Sequence, residues 1–240
     1  MSEPILVVRG LTKRYGDKAA VRDLSFTVAE GAVTALLGLN GAGKTTVLRT
    51  VLGLANPTSG AALFEGRRYR ELTNPSAVVG AVLDDHGQHP DRRAIDHLRA
   101  VAAAGRIDPR RCGEALGEVG LAESARARIR TYSLGMKQRL GLATAMLGEP
   151  RMLILDEPMN GLDPQGIRWL RERLRRFAES GGAVLISSHV LAEVEQLADS
   201  VLILDRGRKA AAGAMSAVIG DQRSLEEALF DLTGSMKAES

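Results

Sequence analysis

The sequence predicts an α/β fold with an N-terminal antiparallel β portion, a core in which strands and helices alternate, and a helical subdomain inserted into that core. Three observations support this prediction. Apolar strand patterns open the chain, helical spacing takes over from about residue 90 to about residue 148, and strands alternate with helices after Arg151. The 240 residues are 45% hydrophobic and 25% charged, so the chain can bury a sizeable core.

The individual elements follow from local patterns, taken in chain order. Alternating or continuous apolar residues predict strands at 5–9, 24–28, 32–37, 61–66, 78–83, 152–155, 183–187 and 201–204. Apolar residues at helical spacing predict helices at 46–52, at 94–104, from 108 onward, and at 134–147, 164–180 and 190–198. A turn at 15–18 makes the first two strands antiparallel, and the later alternation is typical of a parallel, doubly wound sheet.

Composition excludes several classes of protein. No apolar run approaches the ~18 residues that a membrane-spanning helix needs, and residues 1–10 lack the features of a secretory signal. Cys112 is the single cysteine, so the chain can form neither an internal disulfide nor a cysteine-rich metal site. The net charge of +3 is small for this length, so we expect no nucleic-acid partner.

The segment from Gly38 to Thr45 reads GLNGAGKT and fits the phosphate-loop pattern G-x-x-x-x-G-K-[ST] at every specified position. The predicted strand before it and the predicted helix after it give the order that such a loop requires. Glycines let consecutive backbone N–H groups point into one concavity, and the helix N-terminus adds partial positive charge, so phosphates bind there. The alternative is a glycine turn before an ordinary helix. The residues expected to hold the nucleotide are Gly38, Asn40, Gly41, Ala42, Gly43, Lys44, Thr45 and Thr46.

The loop predicts a P-loop NTPase core of the RecA-like kind, and a second motif adds the catalytic groups. Lys44 is expected to reach the β- and γ-phosphates, and the hydroxyl of Thr45 to bind the Mg²⁺ that accompanies ATP. The apolar strand at 152–155 delivers Asp156 and Glu157 at its C-terminal end, where α/β sheets place ligands. Asp156 would hold Mg²⁺, and Glu157 would accept a proton from the attacking water. The alternative is a solvated acidic pair in a strand-to-helix loop.

These motifs together resemble the ATP-binding cassette (ABC) ATPases, and the resemblance covers nearly the whole chain. Residues 133–139, SLGMKQR, resemble the family signature, which implies that Ser133 and Gly135 face the γ-phosphate of the opposite subunit. Residues 160–163, ending in Asp163, resemble the D-loop of the family. His189 resembles its switch histidine, which contacts the γ-phosphate, and Tyr15 lies where the family stacks an aromatic ring on adenine.

Each of these residues has another interpretation when taken alone. Tyr15 could pack its ring on the core as a turn residue, His189 could only begin a helix, and Ser133 could simply cap one. Trp169 and the apolar residues at helical spacing around it are expected to pack in the core. The remaining histidines, His86, His89 and His97, show no ligand spacing with a carboxylate or cysteine and are expected on the surface or in loops.

The chain departs from the commoner family pattern at three positions. Asp84 replaces a glutamine, Leu134 a glycine and Met136 a second glutamine. We expect Asp84 to touch Mg²⁺ or its water shell when the helical insert swings inward, with solvent exposure as the alternative. Similar variants, and a tail like that at 224–234, occur in the branch of the family that exports peptide antibiotics, drugs or lipid-like molecules.

The resemblance implies a transporter ATPase subunit with MgATP as its cofactor. Its partners would be a second copy, in a head-to-tail dimer, and a separately encoded multi-span permease that docks near residues 84–90. Through the permease, the chain would lie in the cytoplasm at the inner face of the cell membrane. One alternative is an ABC ATPase that acts on ribosomes or DNA, but this chain lacks the tandem cassettes that would support it. Another is a small-molecule kinase, which would leave Ser133 and His189 without a role. One domain would fill residues 1–240, with an ATP-binding core at 1–83 and 150–213, a helical subdomain at 84–149 and a helical tail at 214–240.

Overall fold

The strands of the computed structural model form two sheets; the structure describes residues 4–83, 87–220 and 224–234 of the chain. The strands are β1 Pro4–Tyr15, β2 Lys18–Ala29, β3 Val33–Leu37, β4 Ser59–Phe64, β5 Val79–Val82, β6 Met152–Leu155, β7 Ala183–Ser187, β8 Ser200–Asp205 and β9 Arg208–Ala214. The smaller sheet is antiparallel, in the order β2-β1-β4. The larger has the order β5-β6-β7-β3-β8-β9, in which only β9 runs antiparallel to its neighbour.

The helices lie around the larger sheet and in the segment between β5 and β6. They are α1 Lys44–Val51, α2 Pro75–Val78, α3 Ala94–Gly105, α4 Arg111–Glu118, α5 Leu134–Met146, α6 Pro164–Glu179, α7 Leu191–Leu197, α8 Met215–Ile219 and α9 Leu225–Gly234. Side chains cap the starts of α5, α6 and α9: Ser133 accepts from the N–H of Met136, Asp163 from that of Gly166 and Ser224 from that of Glu227. None of the helices described is long and apolar enough to cross a membrane.

Three hydrophobic cores account for these layers. The first lies between the smaller sheet, α1 and one face of the larger sheet, and the second lies between its other face and α6, α7 and α9. Every residue of β3, β6 and β7 is buried, as expected for parallel strands that are covered on both faces. The third core joins α3, α4 and α5, so the helical segment has an interior of its own.

The α/β fold and its P-loop core are confirmed, with differences at particular elements. Residues 208–214 form β9, which the sequence did not predict because its run of alanine and glycine lacks strand-favouring residues; pairing with β8 overrides that weak propensity. Val78 ends α2 instead of starting a strand. His97 is 4% exposed, so the expectation of a surface position was wrong for that residue; His86 lies outside the described residues.

Candidate functional site

The C-terminal ends of β3, β6 and β7 meet at one edge of the larger sheet and bring the glycine loop next to the segments that follow β6 and β7. A cavity of about 810 Å³ opens there, which we call the loop cavity. Its walls are formed by Tyr15, Lys18, Ala19, Ala20, Arg22, Leu39, Asn40, Gly41, Ala42, Gly43, Lys44, Thr45, Thr46, Glu157, Asn160, His189 and Arg206. The position agrees with the rule that open α/β sheets bind ligands beyond the carboxyl ends of their strands.

Two glycines let the loop approach the backbone of both sheets, because no side chain fits at either position. A Cβ on Gly38 would lie 2.5 Å from the carbonyl oxygen of Leu204, and one on Gly43 would lie 2.5 Å from that of Ala20. Both residues also have positive φ, 152° and 107°. Gly41 differs, because with φ at 82° it has nothing within 4 Å of its Cβ position. The loop is therefore wedged between backbone segments at its ends and open in its middle.

Lys44 lies in the floor of the loop cavity. It is 7% exposed, and its Nζ donates to the carbonyl oxygen of Gly38 at 2.8 Å. The same Nζ lies 3.6 Å from Oε1 of Glu157. A buried ammonium needs such partners, since desolvation without them is costly. The lysine thus joins the start of the glycine loop to the acidic segment after β6.

Glu157 is held in an unusual conformation by its neighbours. Its φ of 49° is in the left-handed region, which a residue with a side chain adopts at a cost of ~1 kcal/mol or more. Its N–H donates to Oγ of Ser187 at 2.9 Å, and its Oε2 accepts from the backbone N–H of His189 at 3.1 Å. Oε2 also lies 2.8 Å from Nδ1 of His189. These contacts aim the carboxylate into the cavity.

Asp156 and Thr45 fit an oxygen-ligand metal such as Mg²⁺. Asp156 is 1% exposed; its Oδ1 accepts from the hydroxyl of Ser187, and its Oδ2 is buried with no hydrogen-bond partner among the described residues. The half-buried Thr45 lies in the first turn of α1, on the cavity wall. The described residues contain no group of three or more histidine, cysteine or acidic side chains that could hold a metal. Mg²⁺ is usually bound by one or two carboxylates, with water and phosphate as its other ligands. Asp84 lies outside the described residues.

Ser133, Gly135 and Asp163 lie elsewhere. They line a second cavity of about 250 Å³, which we call the helix cavity, where the start of α5 meets the loop before α6. Its wall also includes Trp169, whose ring lies 4.3 Å from the guanidinium carbon of Arg139. The structure therefore brings together the glycine loop, Tyr15, Asp156, Glu157 and His189, and it places Ser133, Gly135 and Asp163 apart from them.

Tyr15 projects from the wall of the loop cavity and is not packed on the core. The residue is 54% exposed, and Nζ of Lys13 lies 4.7 Å from the centre of its ring. A cation over one face of the ring is a favourable contact that leaves the other face open. The ring is therefore available for stacking with a planar ligand.

Sequence reasoning missed several groups of this site. Ser187 bonds both Asp156 and Glu157, and Asn160, Lys18, Arg22 and Arg206 line the loop cavity. The position of Ser187 at the C-terminal end of β7 could have indicated its role, because the carboxyl ends of neighbouring parallel strands share one edge. Lys18 begins β2, Arg22 lies within β2 and Arg206 lies in the turn after β8. No local pattern separates these three residues from other surface cations.

A family model, individual proteins and a solved structure all match this chain to the ABC transporters. A family model described as ABC transporter matches residues 21–160. The lantibiotic transport ATP-binding protein SrtF of Streptococcus pyogenes is 37% identical over 206 residues, which cover 85% of this chain and 88% of that protein. The bacitracin transport ATP-binding protein BcrA of Enterococcus faecalis is 40% identical over 208 residues, covering 85% of this chain and 68% of that protein.

A solved structure supports the match at the level of coordinates. The ATP-binding subunit of an ABC transporter superposes with a TM-score of 0.86 and 32% sequence identity. The alignment covers 95% of this chain and 99% of that one. The likeness therefore extends over the antiparallel sheet and the helical segment as well as over the loop cavity.

Proposed function

This chain belongs to the ABC transporter family as an ATP-binding and ATP-hydrolysing subunit, and from that premise we propose how its residues divide the work. Glu157 takes a proton from the water that attacks the γ-phosphorus, while the bond between that phosphorus and the β,γ-bridging oxygen breaks and ADP leaves. Lys44 neutralises charge on the phosphates, and His189 contacts the γ-phosphate. The close contacts among these three side chains support the assignment.

The remaining residues of the loop cavity bind and orient the nucleotide. The glycine loop and the start of α1 bind the phosphates, and the ring of Tyr15 stacks on the base. Thr45 and Asp156 would hold Mg²⁺, which neutralises phosphate charge when bound. The unpartnered Oδ2 of Asp156 supports that role. We assign the nucleotide-binding core to residues 1–83 and 150–213, the helical subdomain to 84–149 and the tail to 214–240.

One observation carries the proposal of a dimer, namely that Ser133, Gly135 and Asp163 line the helix cavity and not the loop cavity. The resemblance places Ser133 and Gly135 against the γ-phosphate of the opposite subunit, and both lie apart from the glycine loop of their own chain. A head-to-tail pair of copies would place the start of α5 from one copy over the loop cavity of the other. Such a twofold arrangement makes two equivalent composite sites, as expected of a closed symmetric dimer.

A groove between the core and the helical subdomain is the docking surface that we assign to a multi-span permease. It has a volume of about 250 Å³ and is lined by apolar groups that include Leu52, Leu54, Tyr69 and Leu83. Leu54 is 65% exposed, and Gly87 brings the groove to the segment at 84–90. An exposed apolar surface of this kind is typical of interaction sites. Through the permease, the chain would sit at the cytoplasmic face of the cell membrane.

We assign export of antibiotic peptides, drugs or lipid-like molecules to the complex. SrtF is named for lantibiotic transport and BcrA for bacitracin transport. They are 37% and 40% identical to this chain over 206 and 208 residues. The permease selects the molecule that is moved, so the substrate class belongs to the pair of proteins and not to this chain alone.

Reconstitution tests this function. The chain and a candidate multi-span permease are placed in lipid vesicles, and ATP hydrolysis is measured with and without peptide antibiotics. We expect a lantibiotic or bacitracin to stimulate hydrolysis by the wild-type pair and not by a pair that carries Glu157→Gln. Stimulation only by an unrelated class of solute would overturn the substrate assignment, and failure of the chain to bind any permease would overturn the docking assignment.

A further inference from the structure

Two leucine–glycine pairs fit into each other where the start of α5 meets the loop before α6. A Cβ on Gly161 would overlap Cδ2 of Leu134, so that methyl group lies directly on the glycine backbone. In return, Cδ2 of Leu162 lies 3.6 Å from the Cβ position of Gly135. We call these four residues, Leu134, Gly135, Gly161 and Leu162, the interlock. Leu134 occupies the space that Gly161 leaves free, whereas Leu162 lies in ordinary van der Waals contact over Gly135.

The interlock depends on a residue that departs from the family pattern. Leu134 stands where the resemblance leads one to expect glycine, and without its side chain nothing would cover Gly161 from this direction. The leucine remains 48% exposed, so it forgoes part of the stabilisation that a buried leucine gains. Gly161 has a φ of 69°, which favours glycine and keeps the position free of a side chain. The contact therefore depends on the leucine at position 134 and on the absence of a side chain at position 161.

One side of the interlock leads to the loop cavity through a short, bonded segment. The N–H of Asn160 donates to the carbonyl oxygen of Glu157 at 3.2 Å, and that of Leu162 donates to Met159 at 3.2 Å. Asn160 lines the loop cavity beside Glu157, while Asp163 caps α6. These two hydrogen bonds form consecutive turns between Glu157 and Leu162. A displacement of the backbone at Glu157 is therefore expected to displace Gly161.

The other side of the interlock leads to the residues that would serve a second copy. Leu134 lies between Ser133 and Gly135, and the cap of Ser133 on the N–H of Met136 makes these residues part of a rigid helix start. No gap separates Cδ2 of Leu134 from the backbone of Gly161, so a displacement of Gly161 pushes on Leu134. Displacement of Gly161 would thus be passed to Ser133 and Gly135 as a unit.

We propose that Leu134 is a positioning residue that couples the loop cavity of one chain to the helix start that the same chain offers to its partner. Nucleotide in the loop cavity changes the backbone position of residues 157–161. Leu134 transmits this displacement to Ser133 and Gly135. The consequence for the second copy rests on the proposed function. The coupling within one chain rests only on nucleotide binding in the loop cavity, and it can be measured on a monomer.

Trp169 provides the readout, because it is the only tryptophan of the chain. It lines the helix cavity together with Ser133, Gly135 and Leu162. It does not line the loop cavity, so bound nucleotide would change its emission through the protein and not by direct contact. A monomer titrated with MgADP therefore reports whether the two cavities are linked.

The experiment compares the wild-type chain with Leu134→Ala and with Leu134→Met, which keeps an apolar side chain of similar length. Tryptophan emission is followed during MgADP titration at concentrations where light scattering shows a monomer, and calorimetry gives the affinity independently. We expect the wild type and Leu134→Met to change their emission on binding. Leu134→Ala should bind MgADP within about twofold of the wild type, a difference below 0.5 kcal/mol, yet lose most of the emission change.

Each outcome has a distinct meaning. A full emission change in Leu134→Ala, or none in a wild-type chain that binds MgADP by calorimetry, would overturn the coupling. Failure of the wild type to bind MgADP at all would instead refute the nucleotide site and leave no nucleotide signal to couple. Gly161→Ala checks the contact itself, because its methyl group has room only when Leu134 is shortened. Its destabilisation should be smaller in the Leu134→Ala background, and an equal effect in both backgrounds would remove the contact.

Discussion

The loop cavity and the helix cavity are built by different means. The chemical groups of the loop cavity follow buried parallel strands and are held by hydrogen bonds, such as those from Glu157 and His189 to their neighbours. The helix cavity lies where a helix start meets a loop, and side-chain packing and the stacking of Arg139 on Trp169 form its wall. Hydrogen-bonded strand ends fix atoms to one geometry, whereas packed leucines can shift together. We infer that chemistry is performed in the first region and that the second region responds to it.

The largest expected effect breaks the loop cavity alone. Glu157→Gln keeps the shape of the side chain but removes the base, so turnover should fall about 10²–10⁴-fold, the usual contribution of a general base. ATP affinity should stay near that of the wild type. Phosphate release and equilibrium ATP binding measure the two quantities. Glu179→Gln, at the exposed end of α6, is the matched control; hydrolysis of Glu157→Gln at the control rate would remove Glu157 from this role.

A smaller effect on the same cavity separates binding from chemistry. Lys44→Ala removes a buried ammonium, and hydrogen bonds between charged groups contribute about 1.5–3 kcal/mol, so ATP should bind roughly 10- to 100-fold more weakly. Calorimetric titration with ATP measures the change. Lys209→Ala, on the exposed face of β9, should bind ATP like the wild type. Unchanged affinity in Lys44→Ala would contradict the phosphate-loop assignment.

Glycine substitutions sharpen the comparison between the cavities through stability. Gly38→Ala places a Cβ 2.5 Å from a backbone oxygen, so we expect it to destabilise the fold by about 2 kcal/mol, as in other overpacked sites. Gly135→Ala lies in α5, with its nearest neighbour a leucine methyl 3.6 Å away, and should stabilise by about 0.5–1 kcal/mol. Urea unfolding measures both. Equal shifts would show that the two glycines are not held differently.

The smallest effect concerns pH and lies in the helical segment. Burial and, to a lesser degree, the charge of Arg92 lower the pKa of His97 below its ordinary value of 6.5. Below pH 6.5, His97 therefore binds a proton in the unfolded chain but not in the folded chain. The free energy of unfolding falls as the pH is lowered, until the pH reaches the pKa of His97 in the folded chain. The slope from this residue is at most about 1.4 kcal/mol per pH unit.

Denaturant unfolding between pH 7.5 and pH 5 checks this effect against His97→Leu, which fills the position without a titrating group. The difference in stability between the wild type and the variant should grow in favour of the variant as pH falls below 6.5. A constant difference across this range would contradict a lowered pKa of His97 in the folded chain.

Much of the loop cavity could be predicted from the sequence because its residues lie in short motifs next to strongly apolar strands. The glycine loop and the pair Asp156-Glu157 each follow a buried strand, and parallel strands bring such ends together. Ser187 escaped notice because a serine at a strand end has no distinctive pattern. The interlock could not be foreseen, since no local pattern indicates which leucine lies over a distant glycine.

The β9 strand shows the same limit in the fold. Its alanines and glycine predict neither strand nor helix, and only the exposed edge of β8 makes it a strand. His97 likewise lies on α3, whose burial depends on its packing with other helices in the third core. Local chemistry is thus readable from the sequence, while pairings between distant segments require the structure.

The central claim is that the loop cavity and the helix start of one chain serve different composite sites, and nucleotide-driven assembly tests it most directly. Light scattering of Glu157→Gln at high protein concentration with MgATP should give the mass of a dimer, because ATP stays bound and holds the two copies together. Adding Lys44→Ala or Gly135→Asp to the same chain should return it to a monomer, since each change damages one half of both sites. A Glu157→Gln chain that binds ATP and stays strictly monomeric would contradict the claim.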